Sequence, residues 1–236
     1  MTKHHVKYLL VGGGIASSAA AEAIRGRDRE GEVLLITLES TRPYLRPPLS
    51  KEALRNHLPR AALFSHAHGW YTERHIELRT SRRVTHLDTA RHAVILDDGK
   101  EISFDNLLLA TGASPKHLTI PGHDLPSLHY LRTFDDLERL HHAVEKAKAE
   151  GHRQTRAGST HRGRVAVIGS GLLGVELAAS LTQLGLEVDL LIKGEHPWSR
   201  FAGETTAKWV SRFLELHNVA VRPNGAPLRL EGDGRV

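Results

Sequence analysis

The chain has no cysteine. That excludes disulfides, thiolate metal sites and cysteine nucleophiles. Aromatic residues make up only 5% of it, and no apolar run approaches the length of a membrane span. The opening stretch, MTKHHVKYLLVGGG, enters a strand pattern within a few residues, and its apolar run is too short for a secretory signal. No run of like charge is long enough to form a basic arm. The formal net charge is nevertheless +5, which suits an anionic partner: a nucleotide, a nucleic acid or an acidic protein. These features lead us to expect a soluble, cytoplasmic protein without a membrane partner. A length of 236 residues allows one large or two ordinary domains.

What is present is an α/β pattern that occurs twice. Residues 6–11 are an apolar run followed at once by Gly12-Gly13-Gly14, and residues 15–24 are small and helix-prone. Residues 32–38 are a second apolar run, ended by Glu39. Two buried parallel strands joined by a helix fit this order. A stiff basic loop, PYLRPPLSK, comes next, then expected helices over 50–56, with Ser50 as N-cap, and over 65–74. Segments 82–87, 92–96 and 101–104 read as strands, with Asp98-Gly99 as a hairpin turn. Residues 107–110 read as a separate buried strand that stops at Thr111-Gly112. Residues 135–149 are amphipathic and helical, whereas 150–163, EGHRQTRAGSTHRG, have no period and read as a linker. The pattern then restarts with a strand at 165–168, a glycine turn, and a helix through 184. A strand over 187–192, a helix over 204–216 and a strand over 219–222 follow, and a further strand is expected from 228.

The two glycine turns share a design. A strand delivers the chain to the turn, and the next helix aims its free N–H groups and its dipole at a ligand, an arrangement that suits a pyrophosphate. Glycine is needed where a Cβ would block the phosphate. The first turn runs Gly12-x-Gly14-x-x-Ser17, with a small residue in the third position, and Glu39 stands where an acid would bind ribose hydroxyls. The second, Gly169-x-Gly171-x-x-Gly174, is complete. After it the strand ends Leu190-Leu191-Ile192-Lys193-Gly194-Glu195. Glu195 could serve a ribose diol, while Lys193 and Arg200 could instead pair with a 2′-phosphate, so NADH and NADPH both stay open.

Four stretches, YLLVGGGIAS, PYLRPPLSK, FDNLLLATGASP and VAVIGSGLLGVELA, together resemble the two-dinucleotide-binding flavoprotein family of pyridine nucleotide-disulfide oxidoreductases. The branch most similar in these motifs contains apoptosis-inducing factor and the ferredoxin, rubredoxin and putidaredoxin reductases. The resemblance implies an α/β fold of two Rossmann-like, three-layer β/β/α domains, the NAD domain inserted in the FAD domain. The implied division is 1–115 for the N-terminal part of the FAD domain, 116–162 for a connecting helix and linker, and 163–236 for the NAD(P) domain.

The implied cofactors are FAD and NADH or NADPH. Gly12, Gly13, Gly14, Ile15 and Ala16 would border the FAD pyrophosphate, Glu39 would hold the adenosine ribose, and Val84 would meet the adenine through its backbone. Arg46 would reach the phosphates and Lys51 the flavin edge, with the loop prolines limiting the entropy lost on ordering. Ala110, Thr111, Gly112 and Arg132 match further FAD-contacting positions. Gly169, Gly171, Leu172, Leu173, Gly174 and Glu176 match the nicotinamide-nucleotide site, with Lys193, Glu195 and Arg200 beside it. Lys51 and Glu176 would pair and tune hydride acceptance, the catalytic role carried over.

Without cysteines there can be no redox-active disulfide. Electrons would pass to an external acceptor: a small iron–sulfur protein, a quinone or oxygen. In the family the chain returns to complete the FAD domain and adds a C-terminal interface domain. Both are missing from this sequence, so the expectation is a C-terminally truncated FAD-dependent NAD(P)H oxidoreductase. The alternatives are an inactive remnant, or a nucleotide-responsive signalling module with nucleic-acid contact, which no aromatic–basic interleaving supports. A homodimer of the longer form is also within the family's range. The 17 histidines, including His4-His5, His66-x-His68 and His141-His142, read as solvated residues rather than metal ligands, and no metal is expected. His123 and His129 are assigned no catalytic role.

Overall fold

β1 (His4–Val11) leads into helix α1 (Ile15–Arg27) and returns as β2 (Val33–Ile36). Further on come the one-turn helix α2 (Trp70–Glu73), β3 (Ile76–Arg79), β4 (Val84–Asp88), β5 (Ala93–Leu96) and β6 (Glu101–Leu109). The computed structural model, which describes residues 4–155 and 162–232, joins these strands in the order β3-β2-β1-β6-β5-β4. β3, β2, β1 and β6 are parallel, and β5 and β4 continue antiparallel. Side chains alternate across the parallel strands. Leu9, Val11, Leu34 and Ile36 pack with Val94, Leu96, Ile102 and Phe104 of the β5–β6 hairpin. Leu10, Val33 and Leu35 pack on the opposite face with Ala21 of α1 and Tyr71 of α2. The result is three layers: hairpin, sheet and helices. All four residues of β2 are buried, as a parallel strand covered on both faces requires.

By its internal contacts the chain divides into two units, Met1–Arg46 with Pro59–Ser114, and Pro47–Leu58 with Pro115–Val236. The second contains α3 (Phe134–Thr155), β7 (Arg164–Ile168), α4 (Leu172–Gln183), β8 (Glu187–Leu191), α5 (Glu204–Leu216) and β9 (Val219–Arg222). Its sheet, β7-β8-β9, is wholly parallel. Val188, Leu190 and Ile192 are buried, as are Val175, Ala178 and Leu181 of α4 and Ala207, Val210 and Leu214 of α5. Asp189 ties the strands from outside, accepting from Arg222 Nε at 2.7 Å and from an Arg164 guanidinium nitrogen at 3.2 Å. Burial alone would raise the Asp189 pKa, but these two arginines outweigh it and the net shift is downward. Among the described residues no helix is long and apolar enough to cross a membrane.

Several elements differ from the sequence expectation. The two segments at 101–104 and 107–110 form one strand, β6. The polar pair Asp105-Asn106 interrupts the apolar pattern but not the backbone pairing, for Asn106 stays in register with Tyr8. β3 was not expected, because only Ile76 of its four residues is buried. The expected helix over 50–56 is a 3-10 turn, Pro47–Ser50, followed by further turns, and the helix over 65–74 shrinks to Trp70–Glu73. Helix α3 runs on into the expected linker as far as Thr155; residues 156–161 of that linker lie outside the described residues. No strand forms among the described residues after 228, where Leu230 N instead donates to Pro121 O at 2.8 Å. Several histidines expected in solvent are engaged, among them His5, whose Nδ1 lies 2.9 Å from Ser103 Oγ. His66 stacks on Trp70, with ring centroids 3.6 Å apart, and His141 Nε2 lies 3.2 and 3.0 Å from the Ala53 and Leu54 carbonyl oxygens.

Candidate functional site

In the first unit the turn after β1 is shaped by close backbone crossings. Gly12 has φ +129°, and a Cβ there would lie 2.1 Å from the Ala110 carbonyl oxygen. Ala110 N in turn donates to Val11 O at 2.8 Å, which brings residues 110–112 alongside the turn. A Cβ on Gly13 would meet Thr37 Oγ1 at 2.1 Å. Gly14 differs: a Cβ there would meet nothing within 4 Å. It is the N-cap of α1, with no side-chain capping bond and no acid in the first turn. The first N–H groups of α1 therefore have no side-chain acceptor and face a space left open by a missing side chain, as an anion site requires. Ser17, in the third glycine's position, is fully buried, and its hydroxyl has no hydrogen-bond partner among the described residues.

Glu39 follows three residues after β2 and is held from several directions. Tyr44 Oη donates to Glu39 Oε2 at 2.5 Å and Arg46 donates to Oε1 at 2.5 Å. An Arg46 nitrogen also lies 3.1 Å from Tyr44 Oη. Each carboxylate oxygen keeps a further lone pair with which to accept from a ribose hydroxyl. Thr37 Oγ1 accepts from Glu39 N at 3.2 Å, and Ser81 N donates to Glu39 O at 3.0 Å, fixing the segment that leads into Val84. The structure thus gathers Gly12–Ala16, Glu39, Arg46 and Ala110–Gly112 in one unit, with Val84 opening the neighbouring β4. Sequence reasoning missed Thr37 and Tyr44. Tyr44 stands inside the PYLRPPLSK loop, between the prolines and charges that drew attention, and its burial beside a carboxylate was the missing signal.

In the second unit Gly169 has φ +138°, and a Cβ on Gly174 would fall 2.2 Å from the Gly169 carbonyl oxygen. Gly174 therefore lets the first turn of α4 rest on the glycine loop. Gly171, the N-cap of α4, again has open space where a Cβ would be and no side-chain cap. Leu172 and Leu173 are exposed beside it. Both turns thus pass the steric test for a bound diphosphate: the glycines that touch the fold are filled by backbone or side chain, and the N-cap glycines are open.

Lys51 and Glu176 are both in this second unit and are paired, Nζ to Oε1 at 3.1 Å. Ser50 Oγ donates to Glu176 Oε2 at 2.6 Å, and Ser180 Oγ donates to Ser50 O at 2.7 Å. Arg55 donates to Gln183. Residues 176, 180 and 183 lie on one stripe of α4, and that stripe clasps the segment Pro47–Leu58. Ser180 was not singled out from the sequence, and Ser50 was expected only as an N-cap. Arg132 also belongs to this unit, its backbone N donating to Asp136 Oδ2 at 2.9 Å. Lys193, Glu195 and Arg200 are exposed in the loop after β8.

Two sheet units, the first mixed and the second wholly parallel, each with a glycine turn between a parallel strand and a helix, define a dinucleotide-binding type of fold. The chain belongs to the pyridine nucleotide-disulphide oxidoreductase family, whose model it matches over residues 6–236. It is 32% identical over 228 residues to the biphenyl dioxygenase system ferredoxin–NAD(+) reductase component of Paraburkholderia xenovorans (strain LB400), covering 96% of this chain and 52% of the relative. It is 28% identical over 224 residues to rubredoxin–NAD(+) reductase of Pseudomonas putida, covering 95% and 54%. The fold is similar to the crystal structure of the ferredoxin reductase for the CYP199A2 system from Rhodopseudomonas palustris, with a TM-score of 0.85 and 27% identity over 97% of this chain and 52% of that one. The chain spans about half the length of the curated relatives it matches.

Proposed function

We propose that the chain carries the FAD- and NAD(P)H-binding part of an oxidoreductase that serves a small iron–sulfur acceptor of the ferredoxin type. The observation that supports this best is the pair of glycine turns, each with an open N-cap glycine at the head of an uncapped helix. The names of the relatives, ferredoxin and rubredoxin reductases, support the acceptor class.

On this reading the first unit binds FAD. Gly12–Ala16 cradle the diphosphate, Glu39 accepts from the ribose, Arg46 holds Glu39 in place and adds positive charge, and Val84 and Ala110–Gly112 border the cofactor. The second unit binds the nicotinamide nucleotide at Gly169–Gly174. When bound, the two groups supply the hydride and electron chemistry, which is theirs rather than the protein's. The chain's part is to bind, to orient and to set charge. Lys51 Nζ is oriented by Glu176, whose second oxygen is held by Ser50. The role of this pair in adjusting hydride acceptance, and that of Arg132 toward FAD, are parts of the same proposal. Equilibrium dialysis of the chain with FAD and with a nicotinamide nucleotide tests it. Two separable sites are expected, Gly14→Val abolishing FAD binding alone and Gly171→Val nucleotide binding alone. A folded chain that binds neither ligand overturns the reading.

A further inference from the structure

The loop after β8 separates NADH from NADPH, on the reading that the second glycine turn holds a nicotinamide nucleotide. β8 ends beside that turn, where Gly169 N donates to Leu191 O at 3.0 Å. A site for NADH needs a carboxylate at the strand tip to accept from the two ribose hydroxyls. Here the residue after the strand, Ile192, is fully buried and apolar, and the next, Lys193, is exposed. The chain then comes back to the turn, where Trp198 N donates to Ser170 O at 2.9 Å; Asn224 N, just after β9, donates to Gly194 O at 3.1 Å. The loop is therefore fastened to the phosphate turn through Trp198 and to the turn after β9 through Gly194, with Lys193 and Arg200 on its exposed surface.

Charge on this loop favours an additional phosphate. Among the described residues neither Lys193 nor Arg200 makes a hydrogen bond or ion pair. The one carboxylate in the loop, Glu195, stands two residues beyond Lys193 and is exposed. The two cations of the loop are thus left available for an anion. We propose that this chain takes NADPH in preference to NADH, with Lys193 and Arg200 gripping the 2′-phosphate. The relatives named above are NAD(+) reductases, so this preference would set the chain apart from them.

Isothermal titration of the purified chain with NADP+, NAD+, 2′,5′-ADP and 5′-AMP tests the proposal without any turnover. The expected result is NADP+ binding at least tenfold tighter than NAD+, and 2′,5′-ADP tighter than 5′-AMP by a similar factor. Lys193→Ala and Arg200→Ala should each shrink that ratio severalfold, and Lys193→Glu should remove it. Arg212→Ala, an exposed arginine on α5, should leave the ratio unchanged, which separates a built site from general attraction to a basic surface. NAD+ binding as tightly as NADP+ overturns the proposal and leaves the dinucleotide reading intact. A ratio unaffected by Lys193→Glu overturns the assignment of the site. Binding of neither nucleotide overturns both.

Discussion

Gly174 and Gly171 are three residues apart on the same turn, and the structure gives them opposite duties. A methyl group at Gly174 would lie 2.2 Å from the Gly169 carbonyl oxygen, so the first turn of α4 must retreat by about 1 Å to restore ordinary contact. Overpacking of this kind costs about 1–3 kcal/mol. Alanine returns at most about 1 kcal/mol through helix propensity, and less in a first turn. The net expectation for Gly174→Ala is a loss of about 1–2 kcal/mol. At Gly171 the backbone is ordinary (φ −80°) and the methyl meets nothing within 4 Å. The only structural cost of Gly171→Ala is a poorer N-cap, about 0.5 kcal/mol. Its methyl would instead occupy the space proposed for a phosphate, so nucleotide binding should fall at least tenfold. Urea unfolding followed by tryptophan fluorescence reads the first effect. With Trp70→Phe as background, the remaining two of the three tryptophans, Trp198 and Trp209, report on the second unit. At a slope of about 2 kcal/mol per molar urea, Gly174→Ala should lower the midpoint by about 0.5–1 M. A Gly174→Ala midpoint equal to or above that of the parent would refute the claim that helix and turn touch there.

Three further substitutions probe the same picture. Ser17→Ala should stabilise the unliganded first unit by about 1 kcal/mol, because it removes a buried hydroxyl with no partner; a lower urea midpoint would show that the hydroxyl is satisfied. Ser180→Ala should cost the second unit about 1–2 kcal/mol, since the buried Ser50 carbonyl loses its donor. Glu176→Gln should cost under about 1 kcal/mol, because that pair is about one-third exposed and screened; the reverse ranking in urea melts would contradict the clasp. Finally, Asp28 has its pKa held below the usual carboxylate range, first by the hydrogen bond from Lys7 and next by the Gly31 backbone N–H. A carboxylate with a depressed folded-state pKa stabilises the fold above the ordinary carboxylate range, and that contribution fades as pH falls through the lowered value. Asp28→Asn should therefore flatten the decline in urea midpoint below about pH 4, measured with Trp70 as the reporter; parallel acid limbs would count against it.

What was legible in the sequence depended on how far apart the partners are along the chain. The glycine turns were legible because each needs its glycines locally, next to an apolar strand and a helix-prone run. The strands of the first sheet were legible wherever apolar residues alternate or cluster. β3 was hidden because Glu77 and Arg79 dilute a four-residue strand that pairs only along β2. β6 was cut in two because Asp105 and Asn106 are exposed in mid-strand, and a backbone ladder does not register in side-chain polarity. Ser50 looked like an N-cap because serine before a polar run usually is one. Its hydroxyl is used instead by Glu176, 126 positions away, and no local pattern encodes that. Thr37 was invisible for the same reason, its task being to sit under Gly13 and to accept from Glu39 N.

Helix α4 ties these observations together. Its N-terminus forms the floor of the second glycine turn, where Gly174 sets the distance between helix and loop. One stripe, Val175, Ala178 and Leu181, is buried in the core of the unit. An adjacent stripe, Glu176, Ser180 and Gln183, clasps Pro47–Leu58 and orients Lys51. A helix anchored along two stripes cannot shift to relieve strain at its end without disturbing both. The space at Gly171 is therefore a fixed one, and the direction of the Lys51 ammonium is set by the same rigid element that faces the phosphate turn. Preorganisation of this sort is what a binding site gains from being built on a helix rather than a loop, because the ordering cost is met on folding and not on binding.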